Sequence, residues 1–400
     1  MFWRIALRNL FRNKRRTLLT GLTMWGSYIL SSMTMGLVGG TYGFVIDQFT
    51  RGSSGHLQIL SQGYLDRPSL QNSLPHPNEI SSQVQQALGQ ELQGLAPRLE
   101  AGGLLVSGKE VLGVQIIAID PVQEKQTTRL LQQIQGGSPW NGTNANNGIV
   151  LTRDLVERLK LTLGKDLVLM SQGADGSLGN DRFKVIGIMN EGASTVYLNM
   201  NKAQEFLSSQ EVATRMIITL KDLNHTDEAL KKVRLLFPDK DIQPWMVIEE
   251  EFYRAMKSDQ SAIFLTMGIF LFLAAFGVLN TVLMAILERT REFGIMRVLG
   301  TQDKQLIFVI VLEQILLSLT MCLFGALTAG FLNIFLSEHG IPYPAPIEIG
   351  GMTLHHLYGS LNWSNMLYPF IVVVCSSAAV SLIPAIRSAR LPLVKALGER

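Results

Sequence analysis

The sequence predicts a membrane protein in which four transmembrane α-helices carry a large α+β periplasmic domain inserted between helix 1 and helix 2. Three observations predict it. Four long apolar stretches contain no Asp, Glu, Lys or Arg, namely 17–46, 260–287, 314–337 and 349–386, and about 20 apolar residues suffice to cross a hydrocarbon layer roughly 30 Å thick. The segment 47–259 is 213 residues long with 25 acidic and 21 basic side chains, enough chain to build its own core. Lys and Arg gather beside alternate ends of the charge-free stretches, which sets the orientation of each span.

The charge-free stretches total 120 of 400 residues, so all 67 charges fall in the other 280, about the density of an ordinary soluble protein. That distribution excludes a purely soluble enzyme. It equally excludes a transporter made only of helices. Neither Cys322 nor Cys375 lies in 47–259, so that domain folds without a disulfide and cysteine usage says nothing about compartment.

Basic residues near span ends stay on the cytoplasmic side. Arg4, Arg8, Arg12, Lys14, Arg15 and Arg16 precede the first span with no acid among them. Arg289, Arg291, Arg297 and Lys304 fall between the second and third spans, and Arg387, Arg390, Lys395 and Arg400 follow the fourth. Between 337 and 386 only Glu338 and Glu348 are charged. The order that satisfies this is a cytoplasmic segment 1–16, helix 1 (17–46), a periplasmic domain (47–259), helix 2 (260–287), a cytoplasmic coupling segment (288–304), helix 3 (305–337), a periplasmic loop (338–360), helix 4 (361–386) and a cytoplasmic tail (387–400). A cleaved signal peptide is disfavoured by the 16-residue basic lead and the missing small-x-small site. On a helical wheel the arginines of this lead oppose Phe2, Trp3, Leu7, Leu10 and Phe11, so it either lies in the membrane interface or serves only as a topology signal.

In helix 1, Ser32, Gly36 and Gly40 recur every four residues, as do Ser27 and Ser31. Small residues at that interval let helix backbones approach. The outer domain opens with a strand-like run from Gly55 to Leu60 and a Gly/Pro/Asn-rich stretch. A helix is expected over 79–95, and a strand, a Gly108-Lys109 turn and a strand over 104–120. A Gly/Asn-rich loop covers 135–148. Strands follow at 148–151, 167–171, 182–189 and 216–220, with helices at 152–160 (Thr152 as N-cap), 201–208 and 226–237. The second and third spans are expected to continue as helices beyond the bilayer, from Glu249 and to Ser337.

Gly103-Leu-Leu-Val-Ser-Gly108-Lys109-Glu110 falls one position short of a phosphate-binding loop, because the last position must offer a hydroxyl to Mg²⁺ and Glu110 offers a negative charge. A turn is the better reading. The six histidines (His56, His76, His225, His339, His355, His356) form no chelating pair and are expected in solvated loops. No nucleophile elbow, zinc helix or paired catalytic carboxylates are present. The net charge of +3 reflects topology, and no nucleic-acid partner is expected. Glu313, about 12 Å past Gln305 on a helix rising 1.5 Å per residue, is the one acid embedded in a span. It has to face other helices, reach the headgroups or bond to a loop arginine.

Residues 287–300 carry the most information. Glu288 and Glu292 lie one turn apart, Gly294 and Gly300 punctuate, and Phe293, Met296 and Leu299 form an apolar strip on a polar linker. A short amphipathic helix tied to a span transmits motion if a soluble partner grips it; an ordinary positive-inside loop requires neither the glycines nor the strip.

The string Glu288-Arg289-x-x-Glu292-Phe293-Gly294-x-x-Arg297-x-Leu299-Gly300 resembles the coupling segment of FtsX-like, or MacB-type, ABC transporter permeases. Pro384-Ala385-x-Arg387-x-Ala389-Arg390-x-Pro392-x-x-x-Ala396-Leu397 is similar to their C-terminal signature. Gly148-Ile-Val-Leu151, Leu161-x-Leu163-Gly164-Lys165-Asp166 and Phe183-Lys-Val-Ile-Gly187-Ile188 look like the family's outer core, and Glu313 matches a Glu often found in its third span. Gly55-His-Leu-Gln-Ile-Leu-Ser-Gln-Gly-Tyr64 resembles permeases of the lipoprotein-releasing LolC/LolE group. The resemblance spans nearly the whole chain. It implies a non-enzymatic permease subunit with no cofactor of its own, partnered by a cytoplasmic ABC ATPase subunit that binds ATP and Mg²⁺ and by a second permease copy or paralogue. It also implies contact with membrane lipid, with a lipoprotein as substrate and a periplasmic carrier or adaptor as further partner. Glu288, Arg289, Glu292, Phe293, Gly294, Arg297 and Gly300 would serve ATPase coupling. The family also includes MacB-like mechanotransmitters and FtsX-like regulators of a cell-wall hydrolase, and both remain open.

Overall fold

The computed structural model describes residues 14–137, 140, 147–190, 192–349 and 352–389. The amphipathic lead therefore lies outside the described residues up to 13, and the C-terminal signature from 390 onward. In chain order the elements are α1 (Lys14–Phe49), a π-helical turn (Thr50–Ser54), β1 (Leu57–Leu60), β2 (Leu74–Pro75), α2 (Pro77–Leu88), β3 (Leu92–Ser107), β4 (Glu110–Ile119), α3 (Pro121–Thr127), β5 (Ile134–Gly137) and β6 (Gly148–Thr152). There follow α4 (Arg153–Arg158), β7 (Asp166–Gln172), β8 (Leu178–Met189), β9 (Thr195–Asn199), α5 (Met200–Phe206), β10 (Val212–Ala213), β11 (Arg215–Leu220), α6 (Thr226–Leu236), β12 (Asp241–Pro244) and α7 (Trp245–Ile248). The chain continues through α8 (Glu250–Glu288), α9 (Thr290–Val298), α10 (Asp303–His339), β13 (Ile341–Ile349), β14 (Met352–Leu357) and α11 (Trp363–Ala389).

Two compact units emerge, one built on the long helices and the other holding Val45–Arg254. In the helical unit, α1, α8, α10 and α11 are each long and apolar enough to cross a membrane. The shortest, with 27 residues, spans about 40 Å at 1.5 Å per residue. Their mutual core includes Met24, Tyr28, Val278, Val282, Leu306, Ile310, Leu317 and Val373. The stretch expected as a loop over 338–360 instead contains β13 and β14, paired as a two-stranded ladder. Pro342, Pro344 and Pro346 argue against a strand, and they obscure the alternation of Ile341, Tyr343 and Ala345 that supports one.

The other unit is organised by β3, whose 16 residues have one set of neighbours early and another late. β4 pairs with it from Arg98 to Ser107. On its other side, β11 pairs with residues from Leu92 to Arg98 and β7 with Gly103 to Val106. The path β3-β4-β9-β6-β8-β7 returns to β3, a closed circuit of six strands. Leu99, Leu105, Ile116, Leu151, Leu169, Phe183, Val185 and Val196 form one core there with Phe206 of α5. Beyond β3 in the other direction, β11, β1 and β12 extend the sheet. Ile59, Met216 and Ile218 pack there with Ile80 and Val84 of α2 and Val233 of α6. The α+β domain is thus built on two large hydrophobic cores that share one long strand, with a smaller third cluster of Ile119, Leu130, Trp140, Val150, Met189 and Tyr197 beside them.

Closure of the circuit explains the glycine of the near-miss phosphate motif. A Cβ on Gly103 would sit 2.6 Å from Ile116 Cδ1 and 2.9 Å from the Met170 carbonyl, so the strand wall admits only glycine. Gly108, at φ +64°, makes the hairpin turn.

Four local expectations are corrected. The helix expected over 79–95 stops at Leu88, where Gly89 takes φ +48°, and Leu92–Leu95 enter β3. Thr152 precedes α4 but caps nothing; its hydroxyl donates to the Thr195 carbonyl at 3.2 Å and accepts the Thr195 N–H at 3.1 Å, bridging β6 to β9. His56 is not a solvated loop histidine. It is buried, and its Nδ1 accepts the Leu220 N–H at 2.9 Å, which requires the neutral ring. Of the Gly/Asn-rich loop expected over 135–148, residues 135–137 belong instead to strand β5, and 138–139 and 141–146 lie outside the described residues.

Where β3 changes partners, Arg98 is buried against Glu124 of α3, with Nη2 donating to Oε1 at 2.6 Å and Nε to Oε2 at 3.2 Å. The Thr128 hydroxyl also donates to Glu124. Removing one member strands a buried charge. Glu124→Ala is expected to destabilise the protein by about 3–5 kcal/mol, whereas the paired change Arg98→Met with Glu124→Leu should cost far less; denaturant unfolding of the detergent-solubilised protein measures both. Burial, with help from the Arg51 charge, pushes His56 from 6.5 down to about 4. The folded state then binds fewer protons than the unfolded state between these values, so stability present above about pH 6.5 declines as pH falls toward 4. Unfolding midpoints measured across that window should fall, and His56→Gln should flatten the slope.

Candidate functional site

The linker between α8 and α10 is a nine-residue helix with a signal at each end. At its start, the Thr290 hydroxyl donates back to the Ile286 carbonyl at 2.9 Å and the Leu287 carbonyl at 3.0 Å. Arg289 leaves helical geometry at φ −110°, ψ 11°. This breaks α8 from α9 without proline. At its end, Gly300 takes φ +96°. Its N–H bonds the Arg297 carbonyl at 3.0 Å, and the Thr301 N–H bonds the Met296 carbonyl at 3.0 Å, the paired pattern of a Schellman stop. Gln302 and Gln305 then form a reciprocal capping box that starts α10. Arg297 Nε meets Asp303 Oδ1 at 3.1 Å across this junction.

The two sides of α9 face different surroundings. Relative to Phe293 at 0°, a rise of 100° per residue places Arg289, Met296 and Arg297 within about 60° on the same side. Phe293 is buried in the core that holds Ile286, Ala385 and Ala389, with Met296 packed against it, and Gly294 is buried too. The Arg289 side chain, 10% exposed, turns inward. Its Nη1 lies 3.3 Å from Glu313 Oε2 of α10, whose side chain is 8% exposed, and its Nε lies 3.0 Å from Glu292 Oε2. The guanidinium carbon sits 5.2 Å over the Phe293 ring. On the opposite side Ile295, Val298 and Leu299 are 46%, 64% and 79% exposed, an apolar patch at i, i+3 and i+4. Glu288, Arg291 and Gly300 are exposed as well.

The structure therefore divides the seven expected coupling residues. Arg289, Phe293 and Gly294 point into the bundle, Glu292 and Arg297 lie at the edge, and Glu288 and Gly300 face outward. The expected strip of Phe293, Met296 and Leu299 is split, because those positions spread over 120° of the helix. Ile295 and Val298 were overlooked as motif spacers; their signal was the apolar i, i+3, i+4 spacing with Leu299.

Ser32, Gly36 and Gly40 share one packed face of α1. The Ser32 hydroxyl donates to Met366 Sδ of α11 at 3.4 Å. The Gly36 carbonyl accepts from the Ser360 N–H at 2.9 Å. A Cβ on Gly36 would lie 2.1 Å from Asn333 Oδ1 of α10, and one on Gly40 would lie 2.4 Å from the Tyr358 carbonyl. The glycines are what allow this approach. Among the described residues no group of His, Cys, Asp and Glu is arranged to hold a metal ion.

Comparison with known proteins adds five findings. The family model described as FtsX-like permease C-terminal matches residues 264–393. The model described as MacB-like periplasmic core domain matches residues 17–236, more than half of the chain. The chain is 21% identical over 364 residues to the lipoprotein-releasing system transmembrane protein LolE of Haemophilus influenzae, covering 86% of this chain and 85% of that one. It is 23% identical over 321 residues to the corresponding LolC of Xylella fastidiosa, covering 76% and 77%. Among solved structures, the periplasmic region of MacB from Actinobacillus actinomycetemcomitans aligns with 53% of this chain and 98% of its own at 13% identity and a TM-score of 0.37.

The α1 face can be checked directly. Gly36→Val should sharply reduce the yield of monodisperse protein by driving α1 from α10. Gly26→Ala, where a Cβ meets nothing within 4 Å, should leave it unchanged.

Proposed function

This chain belongs to the FtsX-like, MacB-type family of ABC transporter permeases, and from that premise we propose that it couples a separate ATPase subunit to extraction of a lipoprotein from a bacterial inner membrane. In this reading α1, α8, α10 and α11 span the membrane, and the unit at Val45–Arg254 is inserted between the first two spans and faces the periplasm. The linker helix α9 lies on the cytoplasmic side in this reading, which the distribution of Lys and Arg beside the spans supports. The ATPase supplies the ATP and Mg²⁺ chemistry. A second permease, identical or paralogous, completes the assembly, and a periplasmic carrier receives the substrate.

The observation that carries the reading is the two-sided linker. Three exposed apolar side chains on a short helix, with an internal face anchored among the spans, suit a helix gripped by a soluble partner from one side and pulling on the bundle from the other. Ile295, Val298 and Leu299 would fill an ATPase groove, with Glu288, Arg291 and Gly300 at its rim. Arg289, Phe293 and Gly294 would hold the helix from behind. Lipoprotein as the substrate class is supported by the LolE and LolC relatives, which the chain matches over most of their length.

Val298→Asp with Leu299→Asp should leave the protein folded and lower ATPase copurification and permease-stimulated ATP hydrolysis at least tenfold, read by affinity pull-down and phosphate release in nanodiscs. Undiminished binding would remove the docking assignment. Mass spectrometry of the purified complex should detect acylated protein; an adaptor or a cell-wall hydrolase in its place would move the chain to the mechanotransmitting or regulatory branch of the family.

A further inference from the structure

Three attachments of the linker helix to the bundle differ in kind. Phe293 makes an apolar contact, which is strong and non-directional. Arg297 and Asp303 form an ion pair with Asp303 largely exposed, and such pairs yield readily. The third is Arg289. Its guanidinium forks between Glu292 on α9 and Glu313 on α10, from a backbone position at the end of α8. Both Arg289 and Glu313 are buried, so separating them would leave a charge among apolar side chains, a far costlier event than breaking an exposed pair. A planar fork also fixes direction in a way that a single-point ammonium does not.

We propose that Arg289 is a positioning residue that locks α9 to α10, so that a displacement imposed on the exposed face of α9 is delivered to α10 without slippage. This rests on the coupling role proposed for α9 and names the element that receives its motion. Arg289 touches no partner in this scheme; it acts through Glu313. Glu313, whose placement in an apolar helix is otherwise unfavourable, thereby gains a reason to be there.

The test uses the full chain in nanodiscs, with Cys322→Ala and Cys375→Ser, spin labels at Arg291→Cys and Leu327→Cys, and electron–electron resonance distances with and without the cognate ATPase and ATP-vanadate. Both labelled positions are exposed. With Arg289 present, the α9–α10 distance should be single, narrow and the same in all states. Arg289→Gln should at least double its width, and the charge-swapped set Arg289→Glu with Glu292→Arg and Glu313→Arg should restore it. A control pair on α10 and α11, Leu327→Cys and Ile371→Cys, should keep its width, which a merely destabilising change would not allow. If Arg289→Gln cannot be purified, Glu313→Gln is measured in its place with the same expectation. An unchanged width in the variant, or a swap that fails to restore it, overturns the lock. The width without nucleotide judges the lock even if no ATPase binds, whereas absence of ATPase binding overturns the coupling role alone.

Discussion

A guanidinium placed among apolar helices has to find carboxylates, and that requirement organises the region where three helices meet. Arg289 follows the last residue of α8, pairs with Glu292 in the first turn of α9 and reaches Glu313 nearly three turns into α10. Each partner is where it is because the charge cannot be left alone in a low-dielectric setting. Phe293 lies under the same guanidinium and extends the contact into the apolar core. The rest of the linker follows from this anchor. With one side of a nine-residue helix held inward, the opposite side is obliged to present Ile295, Val298 and Leu299 outward.

The backbone signals around the linker are local and cooperate with that anchor. A hydroxyl bonded back to the preceding turn ends α8, a glycine in the left-handed region ends α9, and a glutamine box begins α10. None of these requires tertiary contacts to form. They set where the helices break, and the buried ion pair sets how the pieces are rotated. The division of labour in the other unit is similar. Turn glycines such as Gly108 mark strand ends, whereas the two larger cores arise because β3 is long enough to serve the six-stranded circuit along one half and the β11-β1-β12 extension along the other.

The candidate site was legible in the sequence to the extent that it rests on periodicity and turn chemistry. Charge-free runs identified the long helices, and the strands at 148–151, 167–171, 182–189 and 216–220 were visible as short apolar-rich segments between turn signals. The helix expected over 79–95 was overextended because Leu92 and Leu95 continue its apolar spacing, while Gly89 cuts it. Thr152 and His56 were misjudged for a shared reason. Their side chains bond to backbone groups 43 and 164 residues distant in the chain, and no window of sequence contains both partners.

The sequence alone determined the four helices long and apolar enough to cross a membrane, the presence of a separate charged α+β unit and the position of the linker, since each depends on composition or on interactions within a few residues. It also singled out Glu313 and the residues of 288–300 as unusual. Only the tertiary structure decided which of those residues face inward. Helical periodicity offers two faces to choose from, and the choice between Phe293 and Leu299 as the buried one depends on what packs against the helix. That decision fell to Glu313, 24 residues along the chain from Arg289, because a buried charge is stable only where the fold brings its counter-charge to it.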